Sequence, residues 1–109
     1  MVRKLSIVGC VVVAALAYGT TRTDAAGVGE KCGGFPGIRC DRGLWCDPAP
    51  GRCGGADILG VCVKIRSGCP KAKPGQKDFR PVCGCDKRTY GNDCERQQHK
   101  VGKNHDGAC

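Results

Sequence analysis

The chain contains three stretches that differ in how apolar and polar residues follow one another. Residues 5–17 form a nearly continuous apolar run. Residues 29–62 are rich in glycine and proline, lack a helical repeat, and contain turn pairs such as Pro36-Gly37 and Pro50-Gly51. This middle stretch therefore predicts short extended pieces joined by turns. From residue 63 onward the chain becomes more basic, and its patterns predict regular elements.

A β-hairpin is predicted in the last third of the chain. Residues 81–83 suit a first strand, residues 86–88 a turn, and residues 89–90 the returning strand. The tail, residues 106–109, is predicted to be a short strand or turn that the terminal cysteine fastens.

One helix is predicted after this hairpin. Asn92 or Asp93 is suited to cap it, and the helix is expected to run through Lys100. Glu95 would lie in its first turn and Lys100 in its last, which suits the helix dipole. Gly102 is placed to end the helix.

The apolar run at the start has the features of a secretory signal peptide. Arg3 and Lys4 supply the positive charge that precedes such a run. About thirteen apolar residues are too few for a comfortable bilayer span. Small residues place the expected cleavage between residues 17 and 26, so residues 1–26 are predicted to be removed and the protein secreted. A retained membrane anchor is the alternative.

Cysteine is the residue that defines the fold class. The chain has eleven cysteines, and ten remain once Cys10 leaves with the signal peptide. An even number in an oxidising compartment predicts five disulfide bonds. A core this poor in aromatic residues needs such cross-links, and Phe35, Leu44 and Trp45 are expected to pack against them. We predict a small disulfide-rich fold, with a short antiparallel sheet and one helix after a cysteine-rich, mostly irregular β module.

Zinc is the main alternative use of closely spaced cysteines. Cys83 and Cys85, with His99 or His105, can be drawn as ligands. The spacing lacks a Cys-x-x-Cys pair, however, and the signal peptide favours oxidation. We expect no metal and no cofactor.

The positive charge limits the choice of partners. The chain carries a net charge of +8, and from residue 27 onward fifteen basic residues face nine acidic ones, which leaves +6. Such a balance attracts acidic partners. Most basic residues stand singly, and the longest cluster is Lys71, Lys73, Lys77 and Arg80, without the interleaved aromatic residues that stack on bases. The sequence favours a solvated basic surface over a dedicated polyanion site, and no nucleic-acid partner is expected.

The second half of the chain carries a specific set of motifs. They are Cys69-Pro70-Lys71, Pro81-Val82-Cys83-Gly84, Asp86, Thr89-Tyr90, Asn92, Cys94 and Gly107-Ala108-Cys109. On these residues, roughly residues 62–109 resemble a Kazal-type serine protease inhibitor domain. The family usually has a further cysteine in the helix just after the position of Cys94, where this chain has Glu95-Arg96-Gln97. The gap between Cys69 and Cys83 is also longer than is usual in the family.

The first half carries a weaker resemblance. Its motifs are Gly29-Glu30-Lys31-Cys32-Gly33, Cys40, Gly43-Leu44-Trp45-Cys46 and Gly60-Val61-Cys62. They resemble the second half of the N-terminal module of insulin-like growth factor-binding proteins. The predicted domains are therefore a signal peptide at 1–26, a growth-factor-binding-like half-module at 27–62 and a Kazal-like domain at 63–109.

The resemblances also suggest a disulfide pattern, which the spacing alone does not fix. The Kazal resemblance implies Cys69–Cys94 and Cys83–Cys109. The growth-factor module suggests Cys32–Cys46 and Cys40–Cys62, which leaves Cys53–Cys85 to join the halves. A rival assignment pairs Cys62 with Cys85 and re-pairs the first half.

The Kazal resemblance implies a function and its residues. The reactive-site loop would be Cys69, Pro70, Lys71 and Ala72, with Lys71 entering the primary pocket of a trypsin-like protease and Ala72 following the scissile bond. Asn92 would hold the loop from behind, and Tyr90 would pack in the core. The resemblance thus implies an inhibitor, which we expect to be a monomer. No Ser/His/Asp or activated-thiol set is evident once the cysteines are bridged, so we do not expect an enzyme.

Two alternatives remain open. The pair Lys77-Asp78, in the longer gap, is a rival scissile bond. The whole chain is alternatively a non-inhibitory extracellular module, similar to follistatin-type proteins, that binds a growth factor or matrix partner.

Overall fold

The structure is a computed structural model that describes residues 9–12 and 25–109. Most of the predicted signal peptide, residues 1–26, lies outside this part of the chain. Cys10 is exposed, and it is the one cysteine among the described residues that has no disulfide partner. None of the helices in these two ranges is long and apolar enough to cross a membrane.

The first sheet lies in the glycine-rich stretch, where the sequence predicts short extended pieces. Its strands are β1 (Lys31–Gly33), β2 (Leu44–Pro48) and β3 (Leu59–Lys64), in the order β1-β3-β2 with antiparallel pairing. Strand β3 continues to Lys64, past the predicted domain boundary at residue 62. The central strand of this sheet therefore leads directly into the second half of the chain.

The second sheet contains the predicted hairpin. Strands β4 (Val82–Gly84) and β5 (Thr89–Tyr90) pair antiparallel, and β6 (Lys103–Asp106) pairs with the other edge of β4. The tail strand begins earlier than the predicted residue 106. The two small antiparallel sheets, five disulfides and one short helix confirm the predicted fold class.

Helix α1 (Asp93–Gln98) begins where the sequence predicts and ends earlier. Asn92 is the N-cap, and its side-chain oxygen accepts a hydrogen bond from the Glu95 amide at 2.9 Å. Lys100 has a φ of 51°, and the Lys100 and Val101 amides bond back to the carbonyls of Gln97 and Arg96. This is a Schellman ending with lysine at the left-handed position. The prediction that Gly102 ends the helix is therefore wrong, because the turn closes two residues before it.

The ten cysteines of residues 27–109 are all paired. The bridges are Cys32–Cys46, Cys40–Cys62, Cys53–Cys85, Cys69–Cys94 and Cys83–Cys109. This is the set that the two resemblances suggest, and it does not contain the rival Cys62–Cys85 bond. Half-cystines also form the interior, since Cys32 and Cys62 are fully buried beside Ala26 and Leu44 packs against them.

The aromatic residues of the first half behave differently from one another. Leu44 packs against the buried half-cystines, as the sequence predicts, and Trp45 is half-buried in β2. Phe35 is 89% exposed, so the prediction that it packs against the bridges is wrong. Phe35 lies in the turn between Gly33 and Ile38, and these two residues form backbone hydrogen bonds with each other. This narrow turn holds the Phe35 side chain away from the sheet.

Candidate functional site

The segment Cys69–Ala72 forms a short loop fastened to helix α1. The Cys69–Cys94 bridge joins its first residue to the second residue of the helix. Cys69, Pro70 and Ala72 are half-buried, whereas Lys71 is exposed. Proline fixes its own φ and keeps the preceding residue extended. The loop therefore directs one basic residue outward from a backbone that is held on both sides.

Asn92 holds the loop on the side that precedes Lys71. Its side-chain nitrogen donates a hydrogen bond to the Pro70 carbonyl at 3.3 Å, while its oxygen caps helix α1 through the Glu95 amide. Asn92 itself is only 8% exposed. One buried amide thus links the loop backbone to the start of the helix.

Gly91 supports the loop on the side that follows Lys71. A Cβ atom on Gly91 would overlap the Ala72 carbonyl oxygen and lie 2.6 Å from the Ala72 Cβ. The Gly91 amide in turn donates to the Glu95 carboxylate at 3.0 Å. Only glycine allows this approach, so Gly91 is a site residue that the sequence reasoning missed. Its position between Tyr90 and Asn92 is the one signal that would have indicated it.

The inserted segment after the loop returns to the same glycine. The Arg80 amide donates to the Gly91 carbonyl at 2.9 Å. Between Ala72 and Arg80 the chain makes a turn closed by a hydrogen bond from the Gln76 amide to the Lys73 carbonyl at 3.0 Å, with Gly75 at a φ of 85°. A second hydrogen bond, from the Phe79 amide to the Gln76 carbonyl at 3.1 Å, closes the next turn.

The rival bond Lys77-Asp78 lies inside that second turn. Both residues are exposed, and the chain around them is folded back rather than extended. A protease cleft receives an extended segment, so the conformation here is less suited to it than that of the Cys69–Ala72 loop.

Tyr90 anchors the base of the site. Its ring is 8% exposed and lies 5.4 Å from the His99 ring, measured between centroids. Its hydroxyl donates to the Asp86 carboxylate at 2.6 Å, and this hydrogen bond lowers the pKa of Asp86. Burial, together with the same bond, raises the pKa of Tyr90. The pair therefore holds the hairpin turn against the core.

A buried ion pair joins the helix of the second half to the first sheet. The Arg96 side chain is 2% exposed, and its two terminal nitrogens donate to the two Asp47 oxygens at 2.9 and 2.8 Å. Gln97 also donates to Asp47, at 3.1 Å, and Arg96 donates further to Asp93 and to the Val101 carbonyl. Although burial by itself lowers it, the Asp47 and Asp93 carboxylates raise the pKa of Arg96 overall.

The same interface carries a covalent link. The Cys53–Cys85 bridge joins the first half to the hairpin, and the Gly51 amide donates to the Lys103 carbonyl at 2.9 Å. The sequence shows Glu95-Arg96-Gln97 where a Kazal helix usually has a cysteine. In this chain Arg96 and Gln97 bond to Asp47 at that place.

The cysteines considered as zinc ligands are all in disulfides. Cys83 and Cys85 are bridged to Cys109 and Cys53, so neither offers a thiolate. His99 and His105 are exposed.

Comparison with known proteins identifies one part of the chain. The family model of the Kazal-type serine protease inhibitor domain matches residues 62–109, which include the loop, Gly91, Asn92 and helix α1. No curated protein and no solved structure matches the chain significantly. The family match does not extend over residues 27–61, so the growth-factor-module resemblance of the first half stays a prediction.

Proposed function

We propose that the protein is a secreted inhibitor of trypsin-like serine proteases that presents Lys71 in a rigid, substrate-like loop. The match of residues 62–109 to a serine protease inhibitor domain supports the inhibitor class. One observation supports the choice of residue: Lys71 is exposed between Pro70, which bonds to Asn92, and Ala72, which rests on Gly91.

The physical basis of inhibition is the rigidity of this loop. A flexible peptide loses conformational entropy when a protease cleft orders it, and a loop already held in shape avoids much of that cost. Here the Cys69–Cys94 bridge, the Asn92 hydrogen bond and the Gly91 contact fix the backbone before binding. The same contacts with the enzyme then give tighter binding than a free peptide has.

The disulfide pattern also explains why cleavage would not release the inhibitor. A cut between Lys71 and Ala72 leaves Cys53–Cys85 and Cys69–Cys94 spanning the break. The new ends stay in place because both bridges and the Asn92 contact are independent of the cut bond. The Ala72 amine therefore stays close to the ester that Lys71 forms with the protease serine, and its attack on this ester re-forms the peptide bond and releases the serine hydroxyl.

Lysine determines the expected target class. An ammonium group suits a primary pocket that contains a carboxylate, as in trypsin. The protein is expected to slow trypsin at near-stoichiometric amounts and to affect chymotrypsin and elastase much less.

The test compares two lysines of the same loop region. Lys71→Ala is expected to abolish trypsin inhibition, whereas Lys77→Ala, which removes the rival scissile residue, is expected to leave it intact. Inhibition is measured by titrating trypsin with the oxidised protein and a chromogenic substrate. The proposal fails if Lys77→Ala abolishes inhibition and Lys71→Ala does not, or if the unmodified protein is inert toward trypsin.

A second candidate function is an extracellular binding module for a growth factor or matrix partner. The observation that favours it is the exposed apolar set in the first half, with Phe35 at 89%, Val28 at 67% and Leu59 at 51% exposure. Capture of such a partner that is lost in Phe35→Ala and kept in Lys71→Ala would support this function, and it would do so independently of the protease assay.

A further inference from the structure

Positive charge is concentrated in one segment of the protein. Residues 27–62 contain four basic and four acidic residues, and residues 82–109 contain five and four. Residues 63–81, which we call the basic segment, contain six basic residues and one acidic residue. Nearly all of the net charge that follows residue 26 therefore lies in nineteen residues. The basic residues are Lys64, Arg66, Lys71, Lys73, Lys77 and Arg80.

None of these six cations is neutralised by a partner in the described part of the chain. All six are exposed, and every ion pair among residues 25–109 uses either Arg96 or Lys103. The one acid of the segment, Asp78, is exposed and forms no ion pair. The positive field of this segment is thus open to an external anion.

The fold brings the two ends of the basic segment together. Gln98 donates to the Arg66 carbonyl at 2.8 Å, and the Arg80 amide bonds to Gly91, so both ends are held beside helix α1. Arg66 and Arg80 line one groove of about 710 Å³ although thirteen residues lie between them in the sequence.

The acids that share this groove are largely offset. Asp93 and Asp106 lie 3.3 and 3.0 Å from the Lys103 ammonium, and Asp93 also pairs with Arg96. Asp78 is the third acid that lines the groove, and it forms no ion pair among the described residues. The groove therefore does not cancel the charge of the segment that borders it.

We propose that the basic segment is a binding surface for a sulfated polysaccharide. Fixed cations that replace the condensed counterions of a polyanion gain the free energy of counterion release. Five disulfides are typical of an oxidising, extracellular environment, where sulfated polysaccharides are the available polyanions. Nucleic acid is less suited, because the segment contains one aromatic residue, Phe79, and that residue is half-buried.

Lys71 belongs both to this surface and to the reactive loop. A polymer bound across the basic segment would cover Lys71, so polymer and protease would exclude each other. This consequence rests on the proposed inhibitory function, whereas polysaccharide binding does not.

The experiment measures heparin binding to two charge-matched variants of the oxidised protein. The segment variant is Lys64→Gln, Arg66→Gln, Lys73→Gln and Lys77→Gln, which retains Lys71. The control variant is Lys31→Gln, Arg39→Gln, Arg42→Gln and Arg52→Gln. All eight residues are exposed and lie outside the ion pairs, so both variants lose four charges and the same overall charge remains. Thermal unfolding checks that both are folded.

The unmodified protein is expected to bind heparin at 0.15 M salt and not uncharged dextran. The segment variant is expected to bind heparin about tenfold more weakly or worse. The logarithm of its affinity should also fall less steeply with the logarithm of the salt concentration, by roughly one unit of slope for each lost contact. The control variant is expected to retain most of the affinity.

Three results would overturn the proposal. The first is an equal loss of heparin affinity in the two variants, which would mean that only net charge matters. The second is the absence of heparin binding by the unmodified protein. The third is tighter binding to single-stranded DNA than to heparin. Trypsin inhibition measured without polymer is a separate readout. Its failure would remove the proposed inhibitory function and leave the binding result standing.

Discussion

Removal of the Asp47 carboxylate tests how the first half supports the helix of the second half. In Asp47→Ala, the two terminal nitrogens of Arg96 lose their hydrogen bonds of 2.9 and 2.8 Å, and a side chain that is 2% exposed in the unmodified protein is left without this charge partner. Leaving one charge of a buried pair without its partner costs about 3–5 kcal/mol. Asp93 and the Val101 carbonyl still bond to Arg96, so we expect the lower end of that range, about 3 kcal/mol.

Guanidinium unfolding of the oxidised protein measures this effect. Trp45 is the one tryptophan of the chain and lies two residues from Asp47 in β2, so its fluorescence reports on this interface. Asp41→Asn is the control, because Asp41 is exposed and has no ion pair in the described residues. It is expected to change the free energy of unfolding by less than about 0.5 kcal/mol.

A double variant separates lost charge pairing from lost packing. Asp47→Ala with Arg96→Met removes both charges, and buried pairs replaced by apolar residues are often neutral or stabilising. We expect this double variant to be more stable than Asp47→Ala alone. A loss below about 1 kcal/mol in Asp47→Ala, or a double variant less stable than the single one, would refute the reasoning, since it would mean that Arg96 is satisfied without the first half.

Three further predictions concern the loop and its base. Gly91→Ala should make trypsin cut the protein faster after Lys71 and should cost about 1–3 kcal/mol of stability, because the new methyl group displaces Ala72. Lys71→Leu should weaken trypsin inhibition and produce inhibition of chymotrypsin, whose pocket is apolar. The Tyr90 hydrogen bond lowers the pKa of Asp86 below its ordinary 3.8, so the ionised carboxylate stabilises the fold at higher pH, and this stabilisation is lost as the pH falls below about 4. Tyr90→Phe removes the bond and should therefore reduce the loss of stability in acid.

Each of these has a matched check. Gly37→Ala adds a methyl group in open space, although at a left-handed position, and should leave the rate of cleavage unchanged. A Lys71→Leu protein that still inhibits trypsin fully would place the specificity residue elsewhere. Unfolding measured at pH 7 and pH 3 tests Tyr90→Phe, and an unchanged difference between the two pH values would show that the Asp86 hydrogen bond does not contribute.

The hairpin and the start of the helix were predictable because local chemistry determines them. Residues 85–88 connect β4 to β5, one residue earlier than the predicted turn at 86–88, and the Asn92 side chain caps the helix. The helix end was not predictable, since Lys100 adopts a left-handed conformation that glycine usually takes. Its two backbone hydrogen bonds, which the sequence does not reveal, offset that strain.

The ion pair between the halves was not predictable from the sequence pattern. From its sequence alone, Arg96 would be taken for an exposed helix residue. Its burial is explained by its hydrogen bond to Asp47, which lies 49 residues earlier in the chain. Phe35 reads as a core residue, yet its turn holds it in solvent. In the candidate site, Lys71 and Asn92 come from the family resemblance, whereas Gly91 depends on a close approach of two chain segments that spacing does not encode.

The inserted segment between Ala72 and Arg80 has a consequence for protein engineering. Ala72, at the start of the segment, lies against Gly91, and the Arg80 amide, at its end, donates to the Gly91 carbonyl. Both ends of the segment are therefore held at one residue. Residues 73–79 can accordingly be lengthened, shortened or exchanged for a foreign peptide with little effect on the geometry of the preceding loop.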